Sequence, residues 1–425
     1  MSAEEKQLDQ QPENTAAQQE HKSVWKVFIQ PAFLIIFISN IVFAISFNII
    51  NAGIVVHFTE DYGINAAIVG TVVSMFSFFA LLVKPISSPI IDRVNRKHLM
   101  VIVTIGYGLG TLGLAFANDV TTLYVWQAIR GVGFGFMMAL YAIVLADVVG
   151  KADYGVATGL FMMGPVIGSS VVAPFALPVA DIIGYTGLFS VSAILGIING
   201  ALIAVMPYKR PNPKPTEAEK KGEKKKLKFS DFLDVPSLPY MLIAGISNLA
   251  IYGQGATILL AFGRADLAIA NVGICVTIHN VIMYVTRPVF GRIIDTKGAR
   301  YGLIPGFIAI GIANLITAAS TDIWGLVIAA VIYGIGGGGL IGSRTLAIKG
   351  APDERTGVAA NTYLIGTDIG NTLGPIVFTS LAVAFGGMYR NAYVALGVVA
   401  LVAIVIWILF MKHLLKRHPE NKMGW

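Results

Sequence analysis

The chain has 425 residues, 55% hydrophobic and only 13% charged, with a mean hydropathy of +0.72. That composition excludes a water-soluble globular protein and points to a membrane protein, in which each crossing of about 30 Å of hydrocarbon takes roughly 20 apolar residues as a helix. The net charge of +7 is no nucleic-acid footprint: Lys and Arg crowd one set of loops while the opposite set holds only Arg264 and Arg390, the positive-inside pattern of an orientation signal.

Residues 1–30 are polar and rich in Gln and Glu, lack the basic-then-apolar layout of a secretion signal, and are expected to form a disordered cytoplasmic tail. Six apolar runs follow at 32–57, 66–89, 98–117, 121–147, 154–176 and 184–207, and make a first bundle over 31–207. Residues 208–236, with several prolines and the cluster Lys224, Lys225 and Lys226, read as a solvated linker with one surface helix near Phe229–Leu233. Runs at 237–262, 267–290, 300–319, 322–346, 357–383 and 391–412 make a second bundle over 237–412, and 413–425 form a cytoplasmic tail. The predicted fold class is an all-α membrane protein of twelve transmembrane helices in two pseudo-symmetric six-helix bundles. Cys275 is the only cysteine, which excludes an internal disulfide. The six histidines have no ligand spacing, so neither metal nor cofactor is expected.

The two bundles repeat one another. KPISSPIIDRVNRKHLM, Lys84 to Met100, returns 203 residues later as RPVFGRIIDTKGARYGL, Arg287 to Leu303. RGVGFG from Arg130 answers YGIGGG from Tyr333 at the same offset, and GPVIGS from Gly164 answers GTDIGN from Gly366 at 202. Such parallel repeats place a substrate site near the midplane between the halves. The loop after the second span resembles the signature of the major facilitator superfamily. Asp92, Arg93, Arg96 and Lys97 fill its charged positions, while Ser88 and Asn95 stand where the family has glycines. The second copy restores Gly291 and Gly298 around Asp295 but has Thr296 and Ala299 at two basic positions. The resemblance covers residues 30–415.

It implies that these loops latch the cytoplasmic face in the outward-facing state. Asp92 is assigned to the start of the eleventh span near Gly357 and Asp295 to the start of the fifth near Tyr154, where a helix N-terminus offers about 0.3–2 kcal/mol to a carboxylate. Asp147 is placed to bond Arg93 or Arg96. The alternative for all of these charges is plain loop anchoring. Lys84 and Arg287, each before a proline, are placed to snorkel to the lipid headgroups. GLFMMGPVIGS, Gly159 to Ser169, resembles the motif of the antiporter branches, with Ser169 in place of its final glycine. Pro165 removes a helix hydrogen bond, and Gly164 and Gly168 flatten one face for close packing; an ordinary proline kink is the competing reading. PDERTGVAANTYLIGTDIGNTLGP, Pro352 to Pro375, resembles the entry to the eleventh span of bacterial efflux members. GIGGGG, Gly334 to Gly339, has dinucleotide-loop spacing but lies within an apolar span without a preceding strand, so it reads as a packing surface, like Gly131, Gly133 and Gly135.

Ionisable groups at membrane depth are costly and therefore functional candidates. Asp368, about eleven residues into its span, is the leading proton-coupling residue; the alternative is a structural Asp held by Asn371, Thr367 or a basic neighbour. His279 is either a proton relay or a satisfied interhelical histidine. Arg130 stands three residues after Gln127, which takes the spacing at which the family often carries arginine; it reads as a ligand for an anionic group or proton-site modulator, or as a structural cap. In a facilitator fold spans one, four, seven and ten line the cavity. Asn40, Asn48, Asn51, Asn248, Tyr252, Gln254 and Tyr333 are therefore substrate-binding candidates against simple interhelical bonding, with Tyr141 and Arg344 behind them. Phe76, Phe78, Phe79, Met162 and Met163 offer an apolar wall or ordinary packing.

These readings describe a secondary transporter of the bacterial inner membrane, with both termini cytoplasmic and one chain sufficient for function. It exports small organic or drug-like molecules in exchange for protons by alternating access. Uptake of a small organic anion, with Arg130 as its ligand, is the alternative; a transporter-like sensor or lipid-handling protein is a third.

Overall fold

The computed structural model describes residues 29–149, 154–208, 234–269, 271–340, 343 and 356–417. Every regular element among them is a helix. The first bundle comprises α1 (Pro31–Val56), α2 (Ala66–Arg93), α3 (Arg96–Ala115), α4 (Val120–Val149), α5 (Tyr154–Phe161) and α6 (Met163–Ala204). The second comprises α7 (Leu238–Tyr252), α8 (Ala256–Ala265), α9 (Gly273–Lys297), α10 (Arg300–Ala319), α11 (Ile323–Gly339), α12 (Thr356–Ala384) and α13 (Tyr389–Arg417).

Among the described residues thirteen helices make twelve crossings, because two spans are each split between two helices and one helix carries two spans. The backbone of α6 breaks at Gly184, whose φ of 74° is open to glycine, and there the fifth span turns back as the sixth. The fifth span is itself split between α5 and α6, and the seventh between α7 and α8 around Gly253 and Gly255. Among the described residues nine stretches are long and apolar enough to cross a membrane by length and composition, one of them, Ala157–Ala204, containing two spans. Ile323–Gly339 is a shorter apolar helix, and Thr356–Ala384 supplies the eleventh span. The surface helix expected near Phe229–Leu233 and both tails lie outside the described residues.

Each internal break leaves carbonyls that no water can satisfy in hydrocarbon, and each is repaired by a side chain from another helix. Pro165 has no N–H to give Phe161; instead Asn40 of α1 donates its Nδ2 to the Phe161 carbonyl at 2.7 Å. At the break of the seventh span the Tyr393 hydroxyl donates to the Gly253 carbonyl. The repeat legible in sequence recurs in space. Gly164 and Gly168 face Asn40 and Ala44 of α1, and their counterparts Gly366 and Gly370 face Met241, Gly245 and Asn248 of α7, in both cases with no room for a Cβ. The run Gly334–Gly339 does the same work, with Gly336 and Gly339 against the backbone of Gly306 and Gly302 in α10.

Two faces of the bundle are distinguished by its cores. Near the start of α1, Phe33 shares a cluster with Tyr208, and Tyr240 of α7 shares one with Trp407 of α13; the side on which these lie is here called the linker face. On the far face a single apolar cluster draws on both bundles, from Ile50, Phe58, Leu177 and Phe189 to Ile258, Phe262, Phe378 and Tyr393. Toward the linker face the core divides. One cluster there contains only first-bundle residues such as Phe43, Tyr107, Met137 and Tyr141, and two others only second-bundle residues such as Phe307, Trp407 and Tyr333. The halves are therefore joined at the far face and part toward the linker face.

Charge reinforces that closure. Arg264, at the end of α8, donates to Asp181 at 2.8 Å and to Glu60 at 3.3 Å, so one cation of the second bundle holds two carboxylates of the first. All three side chains are partly exposed, which limits their worth to about 1 kcal/mol together. Replacing Arg264 with Gln is expected to raise the population open at the far face by about fivefold. Distance distributions between spin labels on far-face loops, recorded at low and high salt, measure this; an unchanged distribution at low salt removes the latch.

Candidate functional site

Where the halves part, two cavities lie at mid-depth. The first, of about 310 Å³, sits between the bundles and is lined by Phe47 and Asn51 of α1, Val73, Phe76, Ser77 and Ala80 of α2, Gln127 and Phe134 of α4, and Tyr252, Thr257, Asp368 and Asn371 from the second bundle. The second, of about 290 Å³, lies within the second bundle, with Ser247, Asn248, Tyr333, Tyr363, Thr367 and Arg287 among its polar lining. Asn248 and Tyr252 are one helical turn apart on α7, and Thr367 and Asp368 adjoin on α12, so the two cavities border one another.

The charged centre of the first cavity is an ion pair across the halves. Lys84 Nζ of α2 donates to Asp368 Oδ2 of α12. The expectation that Lys84 snorkels to the headgroups is therefore corrected: its ammonium is captured by a carboxylate of the opposite bundle. Arg287 is corrected in the same way, since its side chain lines the second cavity and lies against Tyr284 and Met283.

Around the pair stands an aromatic wall. Phe47, Phe76 and Phe134 pack with centroids 5.0 to 5.5 Å apart. Arg130 is not part of the lining. It is 1% exposed and lies one layer behind, where its guanidinium stacks on Phe76 and Tyr107 and donates to Thr111, to Tyr107 and to Gln127 Oε1. The cavity surface belongs to Gln127, and Arg130 orients it from behind.

The other candidates separate by what holds them. Asn51 and Tyr252 line the first cavity, Asn248 and Tyr333 the second. Asn40 is consumed by the Phe161 carbonyl, and Gln254, 1% exposed, donates to Asn314 and Thr317 at 3.0 and 2.9 Å, tying the broken seventh span to α10. Asn48 returns its amide to the Ala44 carbonyl of its own helix. Asn40 and Gln254 are thus tied to other helices, whereas Asn48 bonds within its own turn, as Asn248 does with the Ala244 carbonyl. Tyr141 is likewise buried, against Ser39 and Asn199. His279 is 5% exposed, packs edge-on against Tyr333 at 4.9 Å, and lines neither cavity.

At the linker face Arg96 donates to Asp147 at 2.5 Å, and the Tyr208 hydroxyl donates to the same carboxylate. Burial, with Asp147 adding to it, pushes the Tyr208 phenol up to about 12, so it remains a neutral donor. Asp295 is exposed in the last turn of α9. The side chains of Asp92, Arg93, Tyr154 and Gly357, on which the expected loop-to-helix contacts depend, lie outside the described set, as does Arg344.

Sequence reasoning missed Lys84 as the partner of Asp368, and Arg287, Gln127, Phe47 and Phe134 as cavity residues. The signal for the first two was present: two cations at equivalent positions of a repeat, each followed by proline. The pairing of Asn40 with Pro165 generates a test. Asn40→Ala is expected to destabilise the purified protein by about 1–3 kcal/mol, because it strands the Phe161 carbonyl. Adding Pro165→Ala restores a backbone donor and should recover most of the loss in thermal unfolding. If Asn40→Ala costs as much in the Pro165→Ala background as in the parent chain, the assignment is removed.

Comparison with known proteins accords with this architecture. The sequence model of the Major Facilitator Superfamily matches residues 36–267 and 255–424. An uncharacterised transporter of that superfamily from Methanocaldococcus jannaschii is 25% identical over 307 residues, 70% of this chain and 78% of its own. Multidrug resistance protein 1 of Bacillus subtilis is 23% identical over 338 residues, 75% of this chain and 81% of its own. Among solved structures, a bacterial homologue of the human lysosomal transporter Spinster, in an inward-facing and occupied conformation, superposes with a TM-score of 0.73 at 15% identity, over 92% of this chain and 97% of that one.

Proposed function

The chain belongs to the Major Facilitator Superfamily, which makes it a multi-pass membrane transporter and not an enzyme, and we propose that it exports small organic molecules in exchange for protons across the bacterial inner membrane. The observation that carries this reading is the Lys84–Asp368 pair, which joins the two halves beside an aromatic cavity. An unpaired charge at this depth costs several kcal/mol, so the pair parts only when something replaces one partner. A proton on Asp368 is one replacement; a hydrogen-bond donor or cation on a substrate is another. Proton and substrate then compete for one carboxylate, and that competition is the physical content of antiport.

The basic loops assign the linker face to the cytoplasm. In that orientation the far face is sealed by the shared core and by Arg264, and the cavities open inward, ready to load a cytoplasmic solute. Both halves of the pathway lie in one chain, which supports a functional monomer. Likeness to a multidrug resistance protein supports export of drug-like molecules. Uptake of an anion by Arg130 has less support, since that guanidinium lies behind the cavity wall.

The test is proton release. Purified protein in weakly buffered detergent solution is titrated with a panel of lipophilic cations and acids while pH is followed, for the parent chain and for Asp368→Asn. Release of about one proton per bound ligand in the parent, and none in the variant while binding persists, is the expected result. Ligand binding to both without proton change would make Asp368 structural and bring uniport forward.

A further inference from the structure

Lys84 and Arg287 are the same residue of the repeat, 203 positions apart, and α2 and α9 meet the opposite bundle in the same way. Gly70 of α2 stands against the Pro375 carbonyl of α12, and Gly273 of α9 stands against the Ala173 carbonyl of α6; these partners are again offset by 203 and 202. One register therefore governs both crossings. In that register Lys84 faces Asp368, and the counterpart of Asp368 in the first bundle is Val166. The second crossing has kept its cation and has no carboxylate in that place.

The consequence is visible at Arg287. Among the described residues its guanidinium has no carboxylate partner; its neighbours are the Tyr284 ring at 4.6 Å and the Met283 sulfur at 3.7 Å. It lines the second cavity together with Tyr333, Asn248 and Thr367, and the Thr367 hydroxyl is buried without a hydrogen-bond partner. A guanidinium presents paired N–H donors that match a carboxylate, and such pairs are strongest away from bulk water.

We propose that Arg287 is an anion subsite, and that the transported molecules include small organic acids whose carboxylate it holds while their apolar body extends over Ile251, Met283 and Leu364 toward the aromatic wall of the neighbouring cavity. This rests on the reading of the cavities as the transport site. It assigns Arg287 the role first expected of Arg130, and it uses neither partner of the Lys84–Asp368 pair.

The experiment is calorimetric titration of the full-length protein in neutral detergent, without any gradient, with 2-naphthoate and its uncharged isostere 2-naphthamide. The parent is expected to bind the acid at least tenfold more tightly than the amide. Arg287→Gln should abolish that preference by weakening the acid far more than the amide, and Arg287→Lys should keep a reduced preference. Val166→Asp supplies the missing carboxylate and should suppress naphthoate binding as strongly as Arg287→Gln does, which preserves the test should the glutamine variant fail to fold. Equal affinity of the parent for acid and amide, or a preference that survives both Arg287→Gln and Val166→Asp, overturns the proposal. Because binding is read at equilibrium, it can fail while Asp368→Asn still abolishes proton release, and the reverse, so the two readings are judged separately.

Discussion

A polar group inside hydrocarbon has no water to fall back on, and that constraint sorts the principal buried polar residues described in this protein. Asn40 is spent on a carbonyl that Pro165 cannot serve, Gln254 on two side chains of α10, and the Tyr393 hydroxyl on the break of the seventh span. Arg130 is satisfied by a hydroxyl, a phenol, an amide and two aromatic faces. Once these are accounted for, few charged groups among the described residues are left at the cavities. Those few, Asp368 and Lys84 in one cavity and Arg287 in the other, are the ones whose partner can be exchanged.

The same constraint links fold to movement. Helix breaks at Met162 and at Gly253–Gly255 lie on spans that pack across or beside the interface between the halves, and side chains from another helix hold both. A break whose carbonyls are already satisfied can bend without exposing new polar backbone to lipid. Where the halves must part, by contrast, contact is made by apolar surface and by a few ion pairs. The far-face seal is a shared core with Arg264 at its rim, and the mid-depth contact is Lys84 on Asp368.

Duplication supplies the geometry, and departures from it supply the chemistry. Gly164 and Gly168 pack on α1 as Gly366 and Gly370 pack on α7, so the two bundles share one mode of assembly. Yet Asp368 replaces Val166, Gln127 stands where the family often has arginine, and Tyr333 answers Arg130. A symmetric scaffold therefore encloses an asymmetric cavity, with a charge pair on one side and, on the other, a cation that has no carboxylate partner among the described residues.

Twelve spans, two bundles and the glycine packing faces were all legible in the sequence, because each follows from local quantities: apolar run length, charge bias and a repeat offset. Asp368 was legible too, since a carboxylate so far from either end of a span is conspicuous in one dimension. The partners of Lys84 and Arg287 were less so, because a cation before a proline toward the end of an apolar run reads as a headgroup anchor until the opposite bundle and the cavity are seen. The division of Asn40, Gln254 and Arg130 from Asn51, Asn248 and Tyr252 could not be read at all. All six are polar residues on apolar spans, and which of them faces a cavity depends on whether a carbonyl, an amide or an aromatic ring from a distant helix reaches it first. Hydropathy and repetition along the chain determined how many helices there are and which resemble which; only packing, which sets the partner of each polar atom, decided where the protein is left with something to bind.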